Sequence, residues 1–347
     1  MKAHRFLTTL VASTALCTAG GAALAVPARA STLACGDTVT ADVTLTADLT
    51  CSGTALRVQV SGTDTVHITL AGHRITGDGS GVGIEVVPVA SPGSLAVSGG
   101  TVRGFASALV GPGGPAFRAI NATVDQVDLR NNGQWLPAGS VRRTVTVTRS
   151  RIVDSGPGGA GTDSGTLIVR NSSFLRSTVG SASESFNYLY DSVFTDGGFR
   201  HGFAANVIAT GNTFRRCDIG IDVPDVWPSS PTTIKGNVFD ACRIGLSLTA
   251  IGGTASVRGN TFTHNSGDGF TFRATGTASL TVEGNRFVGN GGNGMSGVGN
   301  PGVTVTRNVA VGNAGHGIDV TGVTDGGGNV AAANHTQPQC IGVSCTR

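Results

Sequence analysis

Short stretches of the chain alternate between apolar and polar residues, and a glycine opens each of them. They read Gly-Ile-Asp-Val at 220–223, Gly-Leu-Ser-Leu at 245–248, Gly-Phe-Thr-Phe at 269–272 and Gly-Ile-Asp-Val at 317–320. A period of two residues predicts short β-strands with one buried face, with Ile221 inside and Asp222 outside, or the reverse for a shifted strand. A helical period is missing after residue 30. The pattern therefore predicts an all-β protein.

A phrase of the form Gly-Asn-x-Phe recurs through the C-terminal half of the chain. Its asparagines follow one another at intervals of 25, 23, 25, 23 and 21 residues, at Asn212, Asn237, Asn260, Asn285, Asn308 and Asn329. A weaker form of the phrase extends back to His73 and gives eleven intervals of about 23 residues. Such a period is typical of a solenoid, whose stacked turns bury a shared core. We expect the asparagines to be structural, because a corner amide can hydrogen-bond its counterpart one turn away.

The first 30 residues have the pattern of a secretory signal peptide. Lys2 and Arg5 give a basic start, an apolar run occupies 6–26, and the small residues at 28 and 30 fit a cleavage site. No later segment approaches the roughly 18 unbroken apolar residues of a membrane-spanning helix. The sequence predicts a secreted, extracellular protein with one elongated domain at 31–347.

Removal of this segment changes the charge of the protein. Three of the 24 basic residues lie in it, which leaves 21 Lys and Arg against 21 Asp and Glu. A neutral chain gives no support for nucleic acid or an anionic membrane as a partner. Lys235 is the one lysine that remains. A binding cation is therefore expected to be an arginine, which holds carboxylates through two parallel hydrogen bonds.

Six cysteines remain after the signal, an even number that favours disulfides in an exported chain. Fifteen pairings are possible, and position suggests three of them. One pair brackets the first segment, one brackets a C-terminal loop, and one pair lies five residues after two successive ladder asparagines; these are Cys35 with Cys51, Cys340 with Cys345, and Cys217 with Cys242. No spacing argues for a zinc site.

The phrase Val-x-Gly-Asn-x-Phe-x-x-Asn-x-x-x-Gly-Phe at 257–270 resembles the repeat of right-handed parallel β-helix proteins. That superfamily includes pectate lyases, polygalacturonases, alginate lyases and mannuronan epimerases. The cysteine-bounded segments at both ends resemble those of secreted actinobacterial members. The resemblance covers roughly residues 40–335. It implies a single-stranded right-handed parallel β-helix of roughly eleven rungs, with disulfide-capped ends.

Side chains that can bind sugars or transfer protons are most crowded between Glu184 and Lys235. The group comprises Tyr188, Tyr190, Asp191, Asp196, Arg200, His201, Asp218, Asp222, Asp225 and Trp227. Polysaccharide sites need aromatic faces for sugar rings, carboxylates, His or Tyr for proton transfer, and Arg for uronate carboxylates. Tyr190, Asp196 and Trp227 are the candidates for substrate binding. The alternative interpretation is that these residues are ordinary solvated groups on the outer faces of strands.

Two motifs resemble signatures of the superfamily in part. Gly-Ile-Asp-Val-Pro-Asp at 220–225 is similar to the Tyr-Gly-Phe-Asp-Pro-His motif of mannuronan epimerases, but it lacks the tyrosine, has an inserted valine and ends in Asp225 instead of His. Gly-His-Gly at 315–317 resembles a polygalacturonase motif without the Arg-Ile-Lys that accompanies it. Acidic clusters bind calcium in pectate lyases, so Asp218, Asp222 and Asp225 make calcium the one cofactor considered; no other metal site is expected.

The leading functional hypothesis is action on an extracellular polysaccharide, in particular one that contains uronates. In a β-elimination, His201 or Tyr188 would take the proton next to the carboxyl group, and Arg200 would neutralise that carboxylate. In a glycosidic hydrolysis, Asp222 and Asp225 would be the acid and the base or nucleophile. The alternative is a non-catalytic carbohydrate-binding or cell-surface protein. Ice binding is a third option, which the lack of a regular Thr-x-Thr array disfavours.

Overall fold

The structure, a computed structural model, describes residues 29–30, 32–87, 93–109, 120–136, 144–160, 165–181, 184–202, 206–228 and 231–347. Residues 1–28 of the predicted signal peptide lie outside this part of the chain. The last two residues of the predicted signal peptide, Arg29–Ala30, form a short strand beside Val43–Thr44. Cleavage after residue 30 stays a prediction.

The described residues form short parallel strands and no helix, and the chain winds through about twelve turns of a β-solenoid. The predicted fold class is confirmed. A typical turn contributes one strand to each of three sheets, and each strand pairs with its equivalents one turn earlier and later. Corner 1 joins sheet 1 to sheet 2, corner 2 joins sheet 2 to sheet 3, and corner 3 leads from sheet 3 to the next turn.

The strands of sheet 1 are Arg29–Ala30, Val43–Thr44, Thr65–Thr69, Ser94–Arg103, Asn121–Arg130, Thr144–Thr148, Thr166–Arg170, Phe186–Tyr190, Asn206–Thr210, Thr232–Lys235, Thr254–Arg258, Ser279–Glu283, Val303–Thr306 and Thr324–Gly327. The two ten-residue strands continue through corner 1 into sheet 2. The other strands of sheet 2 are Leu49–Thr50, Arg74–Thr76, Arg151–Val153, Ser173–Leu175, Val193–Thr195, Thr213–Arg215, Val238–Asp240, Thr261–Thr263, Arg286–Val288, Val309–Val311, Asn329–Ala332 and Cys345–Thr346. Those of sheet 3 are Asp37–Val39, Leu56–Val58, Val82–Val86, Ser107–Leu109, Gly158–Ala160, Val179–Ser181, Phe199–His201, Ile219–Val223, Ile244–Ile251, Phe270–Ala274, Met295–Val298, Ile318–Thr321 and Cys340–Ile341.

The predicted asparagine ladder lies buried at corner 1. The side-chain oxygen of Asn260 accepts hydrogen bonds from the backbone N–H of Asn237 at 2.9 Å and from its side-chain amide at 3.0 Å. The amide of Asn260 in turn donates to Asn285 and to the backbone carbonyl of Ile234. Each asparagine thus joins two turns and satisfies backbone groups that the corner removes from the sheets.

Serines occupy the same corner in the earlier turns. The hydroxyl of Ser172 accepts a hydrogen bond from the backbone N–H of Ser150 at 3.2 Å. The hydroxyl of Ser192 accepts one from the backbone N–H of Ser172 at 3.1 Å. The row changes to asparagine where the N–H of Ser192 donates to Asn212 at 3.1 Å. A hydroxyl accepts the same backbone hydrogen bond but lacks the second donor of an amide.

A second ladder runs along corner 2, which the sequence analysis did not identify. It joins Asn265, Asn290, Asn313 and Asn334 through the same two hydrogen bonds per step. Each of these lies five residues after an asparagine of the first ladder, so the signal was present in the sequence. The ladder ends at Gln339, whose side-chain oxygen accepts from the backbone N–H and the amide of Asn334 at 2.9 and 2.8 Å.

All three disulfides suggested by position are present. Cys217 and Cys242 occupy the corner 2 positions of two adjacent turns, with their Cα atoms 4.3 Å apart. The backbone N–H of Cys242 still donates to the side chain of Asn265 at 3.0 Å. The disulfide therefore joins two turns at the place where asparagines join the later ones.

A column of phenylalanine rings fills the interior against sheet 2. Consecutive ring centroids lie 4.6 to 5.2 Å apart in the row Phe174, Phe194, Phe214, Phe239, Phe262 and Phe287. All six rings are buried. A Cβ atom at Gly245 would lie 2.7 Å from the ring of Phe262. Gly220, Gly245 and Gly269, which open three of the alternating stretches, therefore make room for this column.

Candidate functional site

A shallow groove of about 450 Å³ lies on the outer face of sheet 3 beside corner 2. Its charged lining residues are Asp196, Arg200, Asp218, Asp222 and Arg243. Arg200 and Asp222 are direct register partners on neighbouring strands. Both point outward because alternation buries Phe199 and Ile221 beside them. The groove thus unites four residues that the sequence analysis selected, Asp196, Arg200, Asp218 and Asp222.

Corner 2 before Arg200 is two residues shorter than corner 2 of the next turn. Phe199 lies five positions after Phe194, whereas the equivalent Ile221 lies seven positions after Phe214. Phe199 therefore lies opposite Ile221, and Arg200 lies opposite Asp222. This short corner needs a glycine at Gly198, because the Cβ atom of any other residue there would lie 2.2 Å from the carbonyl oxygen of Ile219.

The two arginines of the groove differ in how they are paired. The Nε of Arg200 lies 3.5 Å from a carboxylate oxygen of Asp222, and 78% of the Arg200 side chain is exposed, against 17% for Asp222. Arg243 donates to Asp218 at 2.5 Å, which holds the pKa of that carboxyl below its usual value, with a smaller contribution from the charge of Arg200. Arg200 therefore keeps most of its donors available to a ligand.

Asp196 belongs to a row of alternating charge along corner 2. Arg216 donates to both of its carboxylate oxygens at 2.9 and 3.1 Å, which lowers the pKa of Asp196. Arg176 pairs in the same way with Asp154 one turn earlier and also faces Asp196. The carboxylate of Asp196 is therefore committed to holding neighbouring turns together, although it lines one wall of the groove.

His201 does not lie in the groove. It is fully buried and points into the solenoid, where its Nδ1 is 2.6 Å from the hydroxyl of Ser181 and 3.5 Å from the amide nitrogen of Asn187. Adjacent residues of a strand face opposite sides, so His201 lies inside because Arg200 lies outside. A polymer on the outer face of sheet 3 cannot reach the imidazole, which corrects the expectation that His201 takes a proton from such a substrate.

The interior around His201 is polar, unlike the rest of the core. Ser181, Ser185, Asn187 and Asn206 are all buried there. The amide of Asn187 donates to the backbone carbonyl of Asn206 at 3.3 Å. Within the described residues, the side-chain oxygens of Asn187 and Asn206 have no hydrogen-bond partner. This polar cluster sits directly behind the strand that carries Arg200.

The two tyrosines lie on a different sheet from the groove. Tyr188 and Tyr190 point outward from the strand Phe186–Tyr190 of sheet 1, and Arg170 lies over the ring of Tyr190 at 4.4 Å from its centroid. Neither tyrosine lines the groove. The structure therefore does not bring Tyr188 together with Arg200 and Asp222, as the elimination hypothesis requires of a catalytic base.

Asp225 and Trp227 follow the end of the strand Ile219–Val223, on the side of corner 3. The indole N–H of Trp227 donates to a carboxylate oxygen of Asp225 at 2.9 Å, and 41% of Trp227 is exposed. Val226 between them is buried and bridges to Ile251. Asp222 lines the groove whereas Asp225 does not. The pair expected to serve as acid and base in hydrolysis is thus separated.

The three aspartates considered for calcium are engaged elsewhere, Asp218 with Arg243, Asp222 with Arg200 and Asp225 with Trp227. In the described part of the chain, no three His, Cys, Asp or Glu side chains come close enough to hold a metal ion.

The residues that the structure describes include no helix long and apolar enough to cross a membrane.

Sequence reasoning missed Arg243 as a groove residue. Arg243 and Asp218 lie 25 residues apart, which is one interval of the asparagine ladder. Residues separated by one repeat are neighbours across adjacent turns. A search for opposite charges at that spacing would have paired these two side chains.

Comparison with known proteins identifies the family. The model for the right handed beta helix region matches residues 117–279 and again 202–335, more than half of the chain. The chain belongs to the right-handed β-helix family. No curated protein matches it in sequence.

Several solved structures are similar to this chain. The periplasmic alginate epimerase AlgG has 13% identity and a TM-score of 0.50, over 84% of this chain and 77% of that one. The catalytic unit of a thermostable GH87 α-1,3-glucanase from Streptomyces thermodiastaticus has 17% identity and a TM-score of 0.38, over 83% and 62%. The A-module of the mannuronan C-5 epimerase AlgE6 from Azotobacter vinelandii has 15% identity and a TM-score of 0.31, over 88% and 90%. The similarity to AlgG shows the fold alone.

Proposed function

We propose that the protein is secreted and acts on an extracellular polysaccharide that contains uronates, which it binds in the groove. The observation that carries this proposal is the outward cluster of Arg200, Asp222, Asp218 and Arg243 on one face of a rigid stack. A uronate carboxylate complements the exposed guanidinium of Arg200, which can bind it through two parallel hydrogen bonds. The signal-like segment and the three disulfides support an extracellular location.

Elimination fits the charges of the groove better than hydrolysis does. Hydrolysis needs one carboxyl group that stays protonated until it donates to the leaving oxygen. Arginine partners lower the pKa of Asp196 and of Asp218, so both are ionised at neutral pH and neither suits that role. Elimination needs a base and a cation instead, and the groove offers Asp222 beside Arg200.

In the proposed reaction, Arg200 neutralises the carboxylate of the uronate and stabilises the negative charge that develops on it. The carboxylate of Asp222 takes the proton next to that group. The electron pair of the broken C–H bond forms a carbon–carbon double bond, and the glycosidic C–O bond at the far carbon of that double bond breaks. The leaving oxygen takes up a proton from water, and Asp222 returns its proton to the solvent. The products are an unsaturated uronide and a new chain end on the leaving oxygen.

A second candidate function is glycan binding without catalysis. None of the described residues that line the groove is a histidine or a tyrosine, which are two of the usual proton carriers. On this alternative, the same arginines bind carboxylates and no bond is broken.

The test is an assay of the purified mature protein against alginate, pectate, other uronate polymers and neutral glucans. Alginate is included because the similar epimerase AlgG is named for it. We expect ultraviolet absorbance from unsaturated uronides on one uronate polymer. Arg200→Gln should lower kcat/KM roughly 10- to 100-fold, because a hydrogen bond to a charged group contributes about 1.5–3 kcal/mol. Asp222→Asn should abolish product and leave binding intact.

Two matched controls separate a site effect from a general charge effect. Asp319→Asn changes an outward aspartate in the same row of sheet 3, four strands beyond Asp222. Arg57→Gln changes an exposed arginine of an early strand of sheet 3 that pairs with Glu85. Both should behave as the wild type. Binding without product in the wild type would establish the second candidate, and the absence of both would reject the proposal.

A further inference from the structure

Three aromatic side chains project from one strand on the outside of sheet 1. Alternation along the strand Phe186–Tyr190 buries Asn187 and Leu189 and turns Phe186, Tyr188 and Tyr190 outward. Phe186 is 40% exposed and the two tyrosines are partly exposed. They are the only tyrosines in the sequence. These three side chains are called the aromatic platform.

The two tyrosine rings are nearly parallel. Their centroids are 6.5 Å apart and their planes differ by 16°, and two residues of a strand span about 6.6 Å. Arg170 is the register partner of Tyr190 on the preceding strand and lies over its ring. One face of this ring is therefore turned toward Arg170, and the ring of Tyr188 lies beside it, with Ile168 and Ile208 as its register partners. On the next strand, Tyr190 pairs with Thr210, which is too short to cover the second face.

Positive charge surrounds this surface. The outer row of sheet 1 that contains Tyr190 runs through Arg170, Thr210, Lys235 and Arg258 in register. Arg170 and Lys235 are exposed, and Arg258 pairs with Glu283 further along. A ligand matched to this surface has a flat apolar face to lie on the rings and carboxylates to meet the cations. A uronate sugar in its ring form has both.

We propose that the aromatic platform is a second glycan-binding surface, which holds an acidic polysaccharide on sheet 1 while the groove on sheet 3 acts on the chain. The class of ligand rests on the proposed function, whereas the location of the surface does not. Exposed, rigid tyrosines are among the residues that most often dominate binding at protein surfaces. The strand of the platform and the strand of Arg200 belong to the same turn, so the solenoid fixes their relative position.

The experiment compares Tyr188→Thr/Tyr190→Thr with the wild type. Threonine is chosen because it occupies these outward rows in other turns, as at Thr210 and Thr233, and it favours strands. Retention on immobilised polymer is measured by affinity electrophoresis in gels that contain alginate or pectate. Arg200→Gln is run in parallel as the groove variant, and Thr281→Ala serves as a control in the row of Tyr188. Thermal unfolding checks that each variant is folded.

We expect the double tyrosine variant to bind polymer roughly five- to thirtyfold more weakly, with product formation on short oligomers unchanged. Full retention by this variant, with loss by Arg200→Gln, overturns the platform and leaves the proposed function standing. Loss by the tyrosine variant in a protein that forms no product and is indifferent to Arg200→Gln rejects the function of the groove and supports the platform. No retention of the wild type rejects both.

A second copy of the protein is the competing occupant of the aromatic platform. Sedimentation of the wild type and of Tyr188→Thr/Tyr190→Thr distinguishes the two cases. A wild-type dimer that the substitutions convert to a monomer would show that the platform is a subunit interface and would overturn the inference.

Discussion

One repeat builds both the middle turns, residues 172–243, and the C-terminal turns, residues 244–339. The two regions differ at their corners, in their interior and on the outside of sheet 3. The C-terminal turns carry an asparagine at both corners and hydroxyl side chains on much of the outside of sheet 3. The middle turns carry a disulfide at corner 2, a polar cluster inside and charged residues outside. The column of phenylalanine rings runs from the middle turns to Phe287, and Ala310 and Ala331 take its place in the last two turns.

This difference separates what the stack needs from what it tolerates. The buried apolar residue in this row and the parallel hydrogen bonds between strands are constant, so they define the fold. The corners accept serine, asparagine or a disulfide, since each of these joins one turn to the next. The middle turns, where the corner chemistry changes, are also the turns that hold the groove and the aromatic platform. A regular stack is therefore a support on which a few turns carry the chemistry.

The largest expected effect comes from removing the disulfide of the middle turns. Cys217→Ala/Cys242→Ala should lower the free energy of unfolding by about 2–4 kcal/mol, because the bond closes a loop with a sequence separation of 25 residues. Cys217→Asn/Cys242→Asn should lose at least about 1 kcal/mol less, since the asparagines can continue the ladder of Asn265. Urea titration measures both.

The matched control for this pair is Cys340→Ala/Cys345→Ala. It opens a loop with a sequence separation of only 5 residues, so its cost should be smaller. If Cys217→Asn/Cys242→Asn is as unstable as Cys217→Ala/Cys242→Ala, asparagines cannot replace the disulfide at corner 2. The two kinds of link would then not be equivalent.

An intermediate effect is expected from the two sides of the strand Phe199–His201. His201→Leu leaves the hydroxyl of Ser181 and the amide of Asn187 without the imidazole, which should cost about 1–3 kcal/mol of stability and leave glycan binding unchanged. Arg200→Gln should do the reverse. Unfolding curves and binding isotherms of both variants decide the point. Loss of activity in a fully stable His201→Leu protein would show that the imidazole acts on substrate after all.

The smallest effect is expected from acid. Arg176 and Arg216 lower the pKa values of Asp154 and Asp196 in the folded chain below their unfolded values. The corner pairs therefore stabilise the fold fully above the unfolded pKa of about 3.9, and this stability is lost as the pH falls through the folded values. Because the pairs are exposed, the fall in the urea midpoint between pH 5 and pH 3 should be slight and should shrink in salt.

Arg216→Gln should show a weaker dependence on pH than the wild type over the same range. A midpoint that rises on acidification would contradict the assignment of these pairs.

The fold was predictable because its causes repeat. The spacing of the asparagines gave the period, and the alternation at 220–223 gave the buried face. The pairing of Cys217 with Cys242 followed from their equal distance to two ladder asparagines, and the structure confirms it. One repeat unit, seen six times, leaves little freedom for another arrangement.

The candidate site was less predictable because it depends on single turns. Residue type and crowding grouped Tyr188 with Arg200, but the corners place them on different sheets. His201 could have been assigned to the inside from its spacing. It lies nine residues after Ser192, as Ile221 lies nine residues after Asn212, and the shift of two residues that the structure shows does not change the face. The short corner at Gly198 shifted the register by two residues, and the repeat pattern does not predict where such a deletion occurs.

The glutamine at the end of the second ladder has a consequence for the behaviour of the whole molecule in concentrated solution. A solenoid exposes unpaired backbone groups and corner amides at its last turn, which is a template on which another chain can continue the stack into a fibril. Gln339 folds back to occupy the amide of Asn334 from within its own chain. It therefore blocks one of the templating positions and helps to keep the stack finite.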